Sequence, residues 1–345
     1  MKDLTVLVTA CGAQFMPGLV SCLKNNNERK IKIVGTDISD DQSIRQMVDR
    51  YYKVPDVSNP AYREMLLKIC KKEQVDVLIP FMSAELLLLI DKKKEFESIG
   101  TKVSVSDRFS VEITNNKLKL YEFLKLHNLK VPKFCAVRRV EDLIEACEYI
   151  GYPKKAVCIK ATGLSGSRGI RILDPTKSRY DILFNQKPNS FYTTIEELKE
   201  TLSERPEIPE MMAMEYLPGI EGSVDLLADH GRIICMAYRE TNINLASIPQ
   251  EATLAYNQEA YKIAEEVIGL IGLDGNADLD FKNDSNGHPV LMEINPRIAA
   301  TMQIFKEGGM NLPYLRIKQL LGENIPPIDI KYGIKMKRRY LEMFY

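Results

Sequence analysis

Asp278-Leu279-Asp280-Phe281, followed by Asn286-Gly287 and then by Glu293-Ile294-Asn295-Pro296-Arg297, is the stretch that decides the fold. Asn-Gly between alternating residues is a strong hairpin signal. With Asn286 and Gly287 as a two-residue turn, Asp280 falls opposite Glu293 and Asp278 opposite Asn295. Side chains alternate across a strand, so these four oxygen-bearing residues share one face. Leu279, Phe281, Met292 and Ile294 take the other. Opposed Cβ atoms lie roughly 4.5–5.5 Å apart, and like charges there repel. Two readings are open. A hard divalent ion such as Mg²⁺ would hold the carboxylates together. Alternatively, the face is the solvated side of an edge hairpin, with Lys282 partly neutralising it.

The remaining composition narrows the field. A chain of 345 residues has room for about two domains. Lys+Arg and Asp+Glu balance at 47 each, so no overall field argues for nucleic acid. The basic cluster Lys335-Met336-Lys337-Arg338-Arg339 is local and reads as a surface-exposed final strand, or as an anion contact. Seven cysteines and three histidines show no zinc spacing, which fits reduced thiols in a cytoplasmic protein. The N-terminus does not read as a signal peptide, and the apolar run 86–90 is too short to span a membrane.

Strands alternate with helices at the start of the chain. Residues 4–9, 31–35, 75–80 and 102–105 read as strands. Helices are expected at 17–25, 60–73 and 83–97. This is a parallel α/β sheet in a Rossmann-like unit. Its first turn, Ala10-Cys11-Gly12-Ala13-Gln14, lacks GxGxxG, so dinucleotide binding is poorly supported. Asp37, in the place of a ribose acid, reads as a turn or cap residue. Asn115 and Asn116 open a helix to about His127, and another covers 140–150. Strands follow at 156–160, 170–173, 211–216, 222–229 and 232–238, then a helix at 256–271. Residues 174–210 are polar and proline-bearing, with a helix near 194–203, and read as an insertion or mobile lobe. Gly308-Gly309 precedes a final helix to about Leu321.

Chemistry collects in the second half. Lys160 ends a strand just before Gly163-Leu164-Ser165-Gly166-Ser167-Arg168-Gly169. Such a loop frees consecutive N–H groups to cradle phosphate, though the spacing is not that of a Walker A motif, and a flexible hairpin tip has the same composition. Met211-Met212-Ala213-Met214-Glu215-Tyr216-Leu217-Pro218-Gly219 is an apolar segment that breaks at Pro-Gly. It offers walls and backbone groups to an adenine ring, although Met-rich strands are also common in cores. Glu221 follows as an acceptor for ribose hydroxyls.

Taken in order, these parts resemble an ATP-grasp enzyme over about residues 1–325. The nearest likeness is to one synthetase unit of the carbamoyl-phosphate synthase large subunit, and to biotin carboxylase. The resemblance implies an α/β (α+β ATP-grasp) protein with a Rossmann-like N-terminal domain at 1–112. A two-lobed ATP-grasp domain would cover 113–325, with a small lobe at about 130–212, and a basic tail 326–345. It implies that Lys117 and Lys160 contact ATP phosphates, and that the loop carrying Gly163, Ser165, Gly166, Ser167 and Gly169 closes over them. Glu215, Tyr216 and Leu217 would form the adenine hinge, and Glu221 would hold the ribose. Asp280, Glu293 and Asn295 would ligate Mg²⁺, with Mn²⁺ as a substitute and Asp278 at the margin. Arg297, with Arg239 as a second candidate, would stabilise the transferring phosphoryl group. Asp280 departs from the Glu or Gln often found there. The chain also has one synthetase unit rather than two and no glutaminase, which argues against complete carbamoyl-phosphate synthesis.

The reaction so implied activates a small carboxylate as an acyl-phosphate for attack by an amine. Bicarbonate or carbamate phosphorylation is the runner-up, and a non-catalytic nucleotide-binding module is the third reading. No nucleic-acid or membrane partner is expected. A homodimer is an expectation from the family.

Overall fold

The computed structural model describes residues 1–164, 166–186, 190–245, 248–339 and 342–345, with backbone alone for 242–245. The chain groups into two compact units. One holds Met1–Asn115, Ile220–Phe281 and Met292–Tyr345; the other holds Asn116–Gly219 and Lys282–Leu291.

The first unit begins with β1 (Leu4–Val8), α1 (Met16–Lys24), β2 (Ile31–Asp37), α2 (Gln42–Met47) and β3 (Arg50–Lys53). Then come α3 (Ala61–Glu73), β4 (Val77–Ile79), α4 (Ser83–Ser98), β5 (Lys102–Val103) and α5 (Arg108–Thr114). The strands form a five-stranded sheet in the order β3-β2-β1-β4-β5, parallel throughout. Val6, Leu7 and Val8 are fully buried, as a strand covered by helices on both faces requires. The expected Rossmann-like arrangement is present, but α2, β3 and α5 are additions. They are short, and α2 and β3 carry little apolar periodicity.

The second unit contains α6 (Lys117–Leu126), β6 (Phe134–Val137), α7 (Asp142–Ile150), β7 (Val157–Ala161) and β8 (Ile170–Leu173). It continues with α8 (Arg179–Asn185), β9 (Tyr192–Thr193), α9 (Ile195–Ser203) and β10 (Met211–Glu215). The sheet runs β6-β10-β7-β8-β9. Asn116 caps α6, accepting from the Lys119 amide at 3.0 Å, as the Asn-Asn-Lys signal predicts. Described parts of the segment 174–210 pack into this sheet. Its strand β9 pairs with β8, and Leu198 of α9 is buried with Leu143, Ile159 and Ala213.

The chain then returns to the first unit through β11 (Glu221–Asp229), β12 (Arg232–Leu245), β13 (Ile248–Ala255) and α10 (Gln258–Ile271). The last elements are β14 (Gly275–Asn283), β15 (Pro289–Asn295), α11 (Met302–Glu307), α12 (Leu312–Leu320) and β16 (Lys335–Lys337). These strands form a six-stranded sheet in the order β15-β14-β11-β12-β13-β16. The basic C-terminal cluster does supply the expected last strand.

The hairpin turn corrects its expected form. The Asp284 amide donates to His288 O at 2.9 Å and the Gly287 amide to Asp284 O at 3.1 Å. Ser285-Asn286-Gly287 is therefore a three-residue loop, with Gly287 at φ +86°. The cause is Asp284, whose carboxylate accepts from the Asn286 and His288 amides at 2.9 and 3.0 Å. That local capping displaces the tighter Asn-Gly turn.

Candidate active site

Within the first unit, six charged side chains converge from four strands. Arg239 of β12 is 4 % exposed. Its Nε lies 3.8 Å from Asp225 Oδ1 and its Nη2 3.9 Å from Asp278 Oδ1. Its Nη1 donates to Thr241 Oγ1 at 2.7 Å. Arg297, just beyond β15, places Nη1 3.9 Å from Asp278 Oδ2. Asp280 Oδ2 accepts from Asn295 Nδ2 at 3.2 Å, so Asp280 and Asn295 share a face as the alternation predicts. The charge of Glu293 bears on Asp280 as well.

Asp225 is the member that sequence reasoning missed. It is 1 % exposed, and Ser223 Oγ donates to it at 2.6 Å. The signal was available: Glu221, Ser223 and Asp225 alternate along β11 on one face, and a carboxylate among Val224, Leu226 and Leu227 needs partners. Pairing in register sets Ser223 beside Arg239 and Glu221 beside Thr241, which brings Glu221 to the same strand end.

The electrostatics are unbalanced. Asp225, Asp278, Asp280 and Glu293 face two guanidinium groups, an excess of two negative charges if all are ionised. Burial and the neighbouring Asp278 push the Asp225 carboxyl up to about 8, against the pull of Arg239. Burial, then Asp278 and Glu293, raise Asp280 well above the usual carboxylate range. Asp278 Oδ1 and Arg239 Nε are buried with no hydrogen-bond partner among the described residues. Oxygen donors with surplus negative charge and an orphaned buried carboxylate oxygen fit a hard divalent cation. Asp280, Glu293 and Asn295 are the residues that would hold it.

The second unit carries the other expected residues. Lys160, on β7, is 8 % exposed and makes no ion pair among the described residues. A buried ammonium in that state is costly without an anion. Ala161 donates to Gly169 O at 3.0 Å and closes the β7–β8 loop. Gly166, Ser167 and Gly169 in that loop take φ of +65°, +59° and +70°, while Gly163 has open space where a Cβ would point. Ser165 lies outside the described residues. Lys117 Nζ donates to Leu164 O at 2.9 Å, so it already reaches the loop.

The residues expected to form the hinge belong to the same unit. Glu215 accepts from the Lys133 amide at 2.9 Å, so its carboxylate serves the backbone. Tyr216 is hydrogen-bonded to Tyr192, and Lys282 sits 5.4 Å from its ring centroid. Leu217 is buried. The Gly219 amide donates to Asn283 O at 3.0 Å, and a Cβ on Gly219 would lie 2.6 Å from that oxygen. Only glycine allows that approach.

Side chains gather at the carboxyl ends of β1 and β4, the usual ligand crevice of such sheets, and Ile79 and Pro80 there line a small cavity with Arg297 and Arg316. Phe15 and Phe81 stack with centroids 4.8 Å apart. Asp37 accepts from the Gly12 and Ser39 amides at 2.7 and 3.0 Å, the turn role expected of it. Glu85 is fully buried beneath, accepting from Thr9 Oγ1, Tyr62 OH and the Phe81 and Met82 amides at 2.5–2.9 Å.

Two family models match parts of the chain. Residues 207–339 match a family described as ATP-grasp in the biosynthetic pathway with Ter operon, and residues 6–104 match the PylC-like N-terminal domain. The carbamoyl phosphate synthase large chain of Clostridium acetobutylicum is 24 % identical over 292 residues, covering 80 % of this chain and 25 % of the relative. The chain thus spans about a quarter of the length of that relative. The biotin carboxylase domain of Hydrogenobacter thermophilus 2-oxoglutarate carboxylase, solved with MgADP, ADP and bicarbonate, superimposes with TM-score 0.68 at 17 % identity, over 96 % of this chain and 73 % of that one. The L-amino acid ligase of Bacillus licheniformis does so with TM-score 0.63 at 15 % identity, over 93 % and 74 %. The chain thus has the fold of these enzymes, and its residues 207–339 match an ATP-grasp family.

Proposed function

We propose that the chain is an ATP- and Mg²⁺-dependent ligase that activates a small carboxylate as an acyl-phosphate for attack by an amine. The observation that carries this reading is the surplus of carboxylates beside two arginines, with Asp225 and Asp278 buried and Asp280 and Glu293 half-buried on β14 and β15. That arrangement suits a bound cation and a phosphoryl group more than it suits an empty fold.

The residues then divide the work. Lys160 and Lys117 bind phosphate oxygens, and the loop 163–169 supplies backbone N–H groups to them. Glu215, Tyr216 and Leu217 form the adenine hinge, and Glu221 accepts from the ribose. Asp280, Glu293 and Asn295 hold Mg²⁺, which supplies charge neutralisation at the phosphates when bound. A substrate carboxylate oxygen attacks the γ-phosphorus and ADP leaves. Arg297 and Arg239 stabilise charge on the transferring group. The amine nitrogen then attacks the acyl carbon, phosphate departs, and the nitrogen loses its proton. The functional boundaries 1–112, 113–325 and 326–345 are part of this proposal. So are a homodimer and cytoplasmic residence. Seven free cysteines support the latter, and among the described residues no helix is long and apolar enough to cross a membrane.

Phosphate release measured with pooled amino acids and small carboxylates tests the reading, and turnover that needs both a carboxylate and an amine is expected. ADP release with bicarbonate alone would instead support the second reading, a carbamoyl-phosphate-synthase-like kinase, which the carbamoyl phosphate synthase relatives favour. Tight ATP binding with no turnover in any mixture would leave only a binding module.

A further inference from the structure

The last strand reaches the loop that carries Arg297. β16 pairs antiparallel with β13, Lys335 opposite Thr253, Met336 opposite Ala252 and Lys337 opposite Glu251. Met336 packs against the core of Leu254, Ile304 and Phe305. The next residue, Arg338, bonds to three carbonyls. Its amide donates to Gln250 O at 2.8 Å and its Nε to Pro249 O at 2.9 Å. Its Nη2 donates to Ala300 O at 2.8 Å.

Ala300 lies in the connection between β15 and α11, three residues beyond Arg297. Ile298 and Ala299 between them are each 4 % exposed, and Arg297 Nη1 donates to Ile298 O at 3.1 Å. The connection is therefore packed in its middle and held by a guanidinium at its far end. The other edge of that guanidinium is fixed to β13. A planar fork can bridge carbonyls of two separate elements, which a lysine ammonium does with poorer geometry.

We propose that Arg338 is a positioning residue for Arg297, and that the C-terminal strand is thereby part of the phosphoryl-transfer apparatus. This rests on the ligase reading. Arg338 does not touch the reacting atoms; it fixes the connection from which Arg297 projects. A displacement of about 1 Å at such a group costs on the order of 100-fold in rate.

The test uses the full chain with R338A and R338K, and with Lys335→Ala as a control at an exposed position on the same strand. kcat and the KM for MgATP are measured in the carboxylate and amine mixture that supports turnover. Amide hydrogen exchange is followed across 297–301. R338A is expected to lower kcat by about 10- to 100-fold, with KM for MgATP within about twofold. Exchange at 298–301 should quicken by about tenfold or more, and free guanidinium should restore part of kcat. R338K should lie between R338A and the wild type, and Lys335→Ala should match the wild type. Unchanged kcat or unchanged exchange in R338A would overturn the proposal. So would a parallel change in kcat and KM that R338K and guanidinium fail to relieve. A wild-type chain without turnover would overturn the ligase reading and the catalytic half of this one, while the exchange rates would still decide whether Arg338 holds the connection.

Discussion

Arg239→Met removes the cation between Asp225 and Asp278 while keeping an apolar stem of similar length. Both carboxylates are buried, at 1 % and 5 % exposure, and the nitrogen–oxygen separations are 3.8 and 3.9 Å. Removing one partner of a buried ion pair costs about 3–5 kcal/mol, because the remaining charge stays desolvated. The first unit has roughly 230 residues, for which 1 kcal/mol corresponds to about 2 °C in Tm. In EDTA at pH 8.5 the variant should therefore melt about 6–10 °C lower than the wild type. The loss should shrink at pH 5.5, where Asp225, whose carboxyl burial and Asp278 push up to about 8, takes up a proton instead of remaining charged. A second substitution, Asp225→Asn, keeps an acceptor for Ser223 and should recover part of the loss. Calorimetry or thermal fluorescence of the four proteins at the two pH values decides the matter. A Tm within 2 °C of wild type at pH 8.5, or a loss equal at both pH values and untouched by Asp225→Asn, would refute the electrostatic argument.

Other perturbations probe the same residues. Glu293→Gln should abolish Mg²⁺-dependent turnover while raising the Tm in EDTA by a few degrees, since it relieves like-charge repulsion on Asp280; retained turnover with normal Mg²⁺ dependence would remove Glu293 from the metal set. Lys160→Ala should weaken ATP binding by about 10- to 100-fold, the range for a charged hydrogen bond, as read by calorimetry; equal affinity would end its phosphate role. Asp225 has a folded value of about 8, above its unfolded one, so its contribution is fully present below about pH 4 and is lost as pH rises through about 8. Metal-free protein should accordingly lose up to about 1.4 kcal/mol per pH unit for each proton released across that window, and saturating MgATP should flatten the slope. Gly219→Ala drives a Cβ to 2.6 Å from Asn283 O and should cost about 1–3 kcal/mol, seen in urea melts.

Much of this was legible from residue patterns. β1, β7, β8 and α10 carry periodic apolar runs or caps that hold in the folded chain. The shared oxygen face of β14 and β15 held, since Asp280 and Asn295 do touch, although the two-residue turn from which it was read did not. The turn differs because Asp284 competes for the backbone through its own side chain, a choice invisible to the Asn-Gly signal. Asp225 was hidden for a related reason: on an apolar strand it reads as an exception until Arg239 is seen across the ladder. The short α2, α11 and β9 carry too few residues for a period to show. Strand β9 further depends on β8, fixed by tertiary pairing and not by local preference.

One packing detail bears on how the chain is made. Leu19, Cys22 and Leu23 of α1 share a core with Ile298, Met302, Tyr314 and Ile317. The first sheet can collapse once β5 has emerged, yet this face of α1 waits for partners encoded roughly 290 residues later, about 15–60 s at ordinary synthesis rates. During that interval a nascent chain displays an apolar helix face beside a finished parallel sheet. Ribosome-bound fragments ending between α5 and α11 should therefore be the species most prone to recruit chaperones or to aggregate.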